Sequence, residues 1–187
     1  MSKQNSFKAL ALAATMALAG GMVAATAPVA AHGHKAEKTV PNIVQTAMST
    51  GVHNTLVAAV KAAGLAGTLS NNGPFTIFAP TDTAFAKLPD GTVANLVKPE
   101  NKGTLTDILV YHAVEGSVSA GDLVALINKH GGSATIKTLS GKTLTARLSG
   151  ETVVITDGKG RATAVTQTDV RTSNGIIHVT DGVFLPG

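Results

Sequence analysis

Residues 75–89, Phe75-Thr-Ile-Phe-Ala-Pro-Thr-Asp-Thr-Ala-Phe-Ala-Lys-Leu-Pro89, decide the fold. An apolar run from Phe75 meets Pro80, whose missing backbone N–H marks the end of a strand. Thr81 stands where a helix N-cap needs a side-chain oxygen. Phe85 and Leu88 then sit three residues apart, a spacing that turns both back onto a core. The stretch therefore reads as a strand running directly into a short capped helix.

Working outward toward the N-terminus, the pattern from Val40 to Leu126 is largely helical. Ile43, Val44 and Ala47 fall at helical spacing, as do Leu56, Val57, Val60 and Ala63, and Gly64 follows where a helix end favours a left-handed residue. Thr104-Leu-Thr-Asp107 predicts a threonine N-cap with an acid three residues on, leaving Ile108, Leu109 and His112 on one face. After Gly131 the rhythm changes to period two, in Ala134–Leu139, Thr143–Leu148, Thr152–Thr156 and Ile176–Thr180. Ser140-Gly-Lys142, Ser149-Gly150 and Asp157-Gly158 separate these runs as hairpin turns. Helices first and antiparallel strands later predict an α+β fold in one domain.

Residues 1–31 read as a secretory signal. Lys3 and Lys8 form a positive start, Ala9 to Ala25 an apolar run, and Val29-Ala30-Ala31 a cleavage site, with Ala25-Thr26-Ala27 as a competitor that would leave Pro28 first. The run is shorter than the ~20 residues a membrane span requires. A polar leader at 32–39 and one domain at 40–187 complete the organisation, with no transmembrane anchor after cleavage. The chain carries formal charge +4 from 15 basic and 11 acidic residues; losing Lys3 and Lys8 leaves 13 against 11, a net +2. The remaining basic residues are scattered, which argues against nucleic acid as a partner. With no cysteine, disulfide scaffolds, thiolate metal sites and cysteine nucleophiles are excluded.

Catalytic templates fail one by one. Gly141-Lys142-Thr143 resembles the tail of a phosphate-binding loop, but Ile136 occupies the earlier glycine position and strands flank the segment. No G-x-S-x-G, S-x-x-K or H-E-x-x-H occurs. The acids are isolated, so no pair divides acid and base roles. The chain is accordingly read as non-enzymatic. His112 and His178 read as buried imidazoles satisfied by hydrogen bonds. His32 and His34 differ: cleavage after Ala31 would place an amine, two amides and the His34 imidazole around Cu(II) or Ni(II) in a square plane. No other cofactor is indicated.

The segment 75–89 resembles the first signature of the fasciclin (FAS1) family. Thr172-Ser-Asn-Gly-Ile-Ile-His-Val-Thr-Asp-Gly-Val-Phe-Leu-Pro186 resembles its second, and Asp107-Ile-Leu-Val-Tyr-His112 its tyrosine–histidine motif. The resemblance covers about Asn42 to Pro186 and suggests a secreted bacterial single-domain member. It implies a wedge of two β-sheets with an N-terminal helical layer, and activity in adhesion or partner binding. Tyr111, His112, Asp169 and Val170 match places implicated in adhesion by animal members, whereas Gln167 and Arg171 depart from the animal sequence. Asp82, Phe85, Asn174, Gly175 and His178 match structural positions of the signatures, with His112 expected to hydrogen-bond near Asp82.

These readings point to a monomeric exported interaction domain, periplasmic or extracellular, contacting a protein or surface polymer in adhesion. The alternative is a carrier of a small hydrophobic ligand such as a carotenoid. That role needs an apolar groove, usually rich in aromatic residues or methionine. Only Phe75, Phe78, Phe85, Phe184, Tyr111 and Met48 would remain after cleavage, and most belong to signature segments.

Overall fold

The computed structural model describes residues 40–187; the expected signal, the leader and the His32/His34 site lie outside these residues. Three helices come first: α1 (Ile43–Ser49), α2 (Asn54–Ala63) and α3 (Ala66–Asn71). Asn42 and Gln45 form a reciprocal capping box on α1. Gly64 ends α2 with φ +76°, where a side chain would be strained. Strand β1 (Phe75–Pro80) then runs into α4 (Asp82–Ala86), whose first turn Thr81 caps by accepting from Ala84 N at 3.3 Å. Phe85 is half-buried against the helical core, and Leu88 is also half-buried. The strand-to-helix reading of 75–89 agrees with the structure.

Helix α5 (Thr92–Leu96) and a 3₁₀ turn (Pro99–Asn101) lead into α6 (Lys102–Tyr111). The threonine cap expected at Thr104 does not form, because Thr104 lies inside α6. The 3₁₀ turn, opened by Pro99 at its first position, sets the helical winding upstream of that residue. Strand β2 (Ala113–Glu115) and α7 (Ala120–Lys129) follow, the latter opened by a Ser119–Asp122 capping box. The remaining strands are β3 (Ser133–Lys137), β4 (Thr143–Ser149), β5 (Thr152–Thr156), β6 (Ala162–Thr172) and β7 (Gly175–Thr180). No helix among the described residues is long and apolar enough to cross a membrane.

The strands run in the order β2-β1-β7-β6-β5-β4-β3. Among the described residues only β1 and β7 pair in parallel, Phe75 opposite Gly175 through Pro80 opposite Thr180. Two sheets meet in β6, which pairs with β5 at its start and with β7 from Val165 to Thr172. Two register shifts, between Val165 and Gln167 and between Gln167 and Val170, distort β6, and Asp169 adopts φ +58°. Helices first and a mixed sheet later make this the α+β fold that the sequence predicts.

Side chains alternate across β1 and β7, so the two strands feed two cores. Ile77, Ala79 and Ile177 face Ile43, Leu56, Val60 and Leu109 of the helical layer. Phe78 belongs instead to a core with Tyr111, Leu123, Ile127, Leu144, Ile155 and Phe184, and His178 stacks on its ring. Every residue of β7 is buried, as expected for a strand covered on both faces. Burying each large apolar side chain contributes about 1.5–3 kcal/mol.

Candidate functional site

The tyrosine–histidine pair closes α6 inside the larger core. Tyr111 is fully buried; its hydroxyl donates to the Thr143 carbonyl at 3.0 Å and accepts from Gly158 N at 2.8 Å. His112 is 2 % exposed and stacks on Phe184, centroids 4.8 Å apart. Its Nε2 accepts from Phe184 N at 3.0 Å, which makes Nδ1 the protonated nitrogen donating to the Ile108 carbonyl at 2.8 Å. Burial pushes its pKa down to about 4; the Ile108 carbonyl and Asp157 work against that shift, and Arg161 adds to it. Neither side chain presents a surface that a partner could touch. The pair instead ties the end of α6 to β4, the 157–160 turn and the C-terminal tail.

The expected link between His112 and Asp82 is absent. Asp82 caps α2 from the outside: Oδ1 accepts from Thr55 N at 2.7 Å, and Oδ2 accepts from Asn54 N at 3.2 Å and Asn54 Nδ2 at 3.1 Å. Burial raises its pKa, but the bonds from Thr55 and Asn54 outweigh this and hold the carboxyl below its ordinary range. An anion at a helix N-terminus is the arrangement the helix dipole favours. The imidazole that feels Asp82 is His53, at the N-cap position of α2. His112 lies at the far end of α6, committed to Ile108 and Phe184.

Asp169 and His178 act as a pair. Asp169 Oδ1 accepts from Ala120 N at the start of α7, at 2.9 Å, and its own N–H donates to His178 Nδ1 at 3.4 Å. With Nδ1 accepting, Nε2 donates to the Val118 carbonyl at 2.9 Å. The reading of His112 and His178 as buried and satisfied is therefore correct for both. Val170 is half-buried against the helical core. Gln167, Thr168 and Arg171 remain exposed.

Asn174 fastens the helical layer to the β6–β7 turn. Its Oδ1 accepts from Ile43 N at 3.0 Å, while Nδ2 donates to the carbonyls of Leu69 and Asn72 at 2.7 and 2.9 Å. Gly175 follows where β7 meets β1 so closely that a Cβ would overlap the Phe75 carbonyl. Two further residues carry weight that the sequence did not reveal. Asp157 is a buried carboxylate accepting from the backbone of Lys159, Arg161 and Leu185 and from the Arg161 guanidinium. The Asp157-Gly158 dipeptide signalled a turn but not this anchor. His53 is also buried, and Nε2 is the single buried side-chain polar atom without a hydrogen-bond partner among the described residues.

Several concavities border these elements. An aliphatic cavity of about 30 Å³ lies beneath α1 against α2, β1 and β7, with Ile43, Val60, Ile77 and Ile177 in its walls. That is room for about one water. Beside it, a cleft of about 280 Å³ separates α1 and the α1–α2 turn from β6 and β7. A polar groove of about 490 Å³ runs between Asn71–Pro74 and Arg171–Ile176. Arg171 on its rim takes part in neither of the ion pairs among the described residues, Lys87–Asp181 and Arg161–Asp157.

The family model described as Fasciclin domain matches residues 51–186. The chain is 44 % identical over 146 residues to Protein sll1483 of Synechocystis sp., an alignment spanning 77 % of this chain and 73 % of that protein. It is 42 % identical over 149 residues to sll1735 of the same organism, across 79 % of this chain and 100 % of that protein. A solved FAS1 domain pair from the insect cell adhesion molecule Fasciclin I has the same fold. Its TM-score is 0.69 at 23 % identity, covering 79 % of this chain and 51 % of that one.

Proposed function

The chain belongs to the fasciclin domain family, and on that premise we propose that it is a non-catalytic interaction domain working in cell-surface or matrix adhesion. The observation that carries this reading is the distorted segment of β6. Gln167, Thr168 and Arg171 stand exposed there, beside the polar groove lined by Asn71, Asn72, Ser117 and Ser173. Amides, hydroxyls and one guanidinium without an ion-pair partner suit a polar protein surface or a surface polymer. The carboxylates of Asp82, Asp157 and Asp169 are spent on backbone amides, a structural use of groups that acid–base catalysis would need free. The insect relative in fold is itself described as a cell adhesion molecule. The protein is proposed to act as an exported monomer, in the periplasm or outside the cell.

The test is attachment of beads coated with the protein to envelopes of the source cells. A triple variant, Gln167→Ala, Thr168→Ala and Arg171→Glu, is expected to lose most attachment while keeping its thermal midpoint. Equal attachment by variant and parent would refute this surface as the contact.

A further inference from the structure

The turns that lead into β1 and β7 lie against each other, and each carries the same dipeptide. Asn72-Gly73 stands just before β1, and Asn174-Gly175 joins β6 to β7. Among the described residues no other asparagine is followed by glycine. The two steps touch: Asn174 Nδ2 donates to the Asn72 carbonyl at 2.9 Å, and a Cβ on Gly73 would clash with the Asn174 carbonyl. Both line the polar groove, in which Arg171 is the single charged wall residue.

Asparagine is a chemically labile side chain, and a following glycine exposes it most. With no Cβ, glycine leaves its own backbone nitrogen open to approach the asparagine Cγ and adapts to the five-membered ring that results. The reaction needs a side chain free to swing, a backbone N–H that is not already donating, and a peptide plane that can turn. The two asparagines differ in all three respects. Asn174 is held by bonds to Ile43 N and to the carbonyls of Leu69 and Asn72, and Gly175 is buried in the ladder opposite Phe75 and Thr172. Asn72 is exposed, and its side chain makes no hydrogen bond among the described residues. The Gly73 N–H likewise has no acceptor among them. Turning the Asn72–Gly73 peptide gives up one solvent-exposed bond, the one from Asn174 Nδ2, which keeps its other bond to Leu69.

We propose that Asn72 is a self-modifying site, which deamidates through a cyclic imide in the folded domain while Asn174 stays intact. Solvent hydroxide takes the Gly73 amide proton, and that nitrogen attacks Asn72 Cγ. The Cγ–Nδ2 bond breaks and the carboxamide nitrogen leaves as ammonia. Water then opens the ring on one of two sides. Opening at Cγ gives an ordinary aspartate at position 72; opening at the backbone carbonyl gives an isoaspartyl link, with the chain running through the former side chain. One water is consumed and one ammonia released, with no change of oxidation state. Either product places a carboxylate in the groove beside Arg171 and takes its walls from one positive charge to none. The chemistry is independent of the adhesion reading, so either can fail alone.

The test holds the full chain at mildly alkaline pH, once folded and once in guanidinium chloride, and follows both asparagines by digestion and mass spectrometry over time. In the folded chain Asn72 is expected to convert within about tenfold of its unfolded rate, the ordinary worth of the one bond given up. Asn174, which must give up three, is expected to be slowed by about a hundredfold or more. Fragmentation should find isoaspartate at position 72, the mark of the cyclic route. Asn72→Gln, whose ring would be one atom larger, should keep the fold, show no conversion at that position and leave the folded rate at Asn174 unchanged. Equal protection of the two asparagines by folding, or aspartate at position 72 with no isoaspartate beside it, would overturn the proposal.

Discussion

Acidification from pH 7 to pH 4.5 should destabilise this domain through His112. Between the stacked Phe184 ring and the Ile108 carbonyl there is no room for a second ring proton: Nε2 already accepts from Phe184 N. Its pKa falls from 6.5 to about 4 in the folded protein. Below pH 6.5 the unfolded chain takes up a proton that the folded chain refuses, so the unfolded state gains relative stability as the pH falls. The slope is about 1.4 kcal/mol per pH unit inside the window, and the whole loss is about 3 kcal/mol once the pH passes the folded value. Urea unfolding followed by circular dichroism at half-unit steps from pH 7 to 4.5 measures it. His53, also pushed down by burial against the opposing pull of Asp82 and the Ala79 carbonyl, contributes with the same sign. The share of His112 is therefore isolated by His112→Gln, whose side-chain oxygen can still accept from Phe184 N but does not titrate. That variant should be weaker at pH 7 by about 1–3 kcal/mol, with a shallower pH slope than the parent. Parallel pH curves for parent and variant, or an NMR titration placing His112 above pH 6, would refute the reasoning.

Other perturbations separate anchors from decoration. Asp157→Ala should cost about 3 kcal/mol at pH 7, because it strips a buried carboxylate from three amides and a guanidinium. Although burial raises the pKa of Asp157, bonds from Leu185, Arg161 and Lys159 outweigh it. With the folded value depressed, its contribution is full above the ordinary carboxylate pKa and is lost as the pH falls through the folded value. Urea midpoints at pH 7 and pH 3 should therefore differ less in the variant than in the parent. Asn174→Ala should free α1 selectively, seen as faster amide exchange over Ile43–Ser49, and lower global stability by about 2–3 kcal/mol. Asp169→Asn, which keeps an acceptor oxygen and tolerates positive φ, should fall within about 1 kcal/mol of the parent, whereas Asp169→Ala should lose about 2 kcal/mol. Equal losses in the two would show that neither the amide bond nor the backbone angle matters there. Lys87→Ala should shift the thermal midpoint little, since the Lys87–Asp181 pair is exposed at 60 % and 43 % and such pairs are worth less than about 1 kcal/mol.

The parts of this fold that could be read from sequence are those governed by local chemistry. The Pro80–Thr81 break, the left-handed Gly64 and the alternation in β3, β4 and β5 each follow from a residue and its nearest neighbours. Strand β6 escaped because Thr166-Gln-Thr-Asp169 is polar and bulged, so no period of two survives. The start of α6 was misplaced for a related reason, since a 3₁₀ turn without a side-chain cap leaves little trace beyond Pro99. Side-chain partners distant in sequence were the least legible. Asp82 reaches α2 from 27 residues away in place of His112, and nothing near either residue announces it. The same holds for His53, whose Nε2 stands out only once the surrounding carbonyls have been counted.

The position of β7 has a consequence for how the chain folds. The last strand in sequence lies between β1 and β6, and its six residues divide the two cores. A nascent chain that has emerged only as far as Ser173 can wind its helices and close the β3–β4–β5 meander, but β1 then lacks its parallel neighbour and both cores lack a wall. Contacts between segments so far apart in sequence are slow to form, because the loop they close is long. Completion of the domain is thereby deferred until Gly175–Thr180 has been made. Until then, the segments that will be buried most deeply remain accessible to any factor that must handle the chain unfolded.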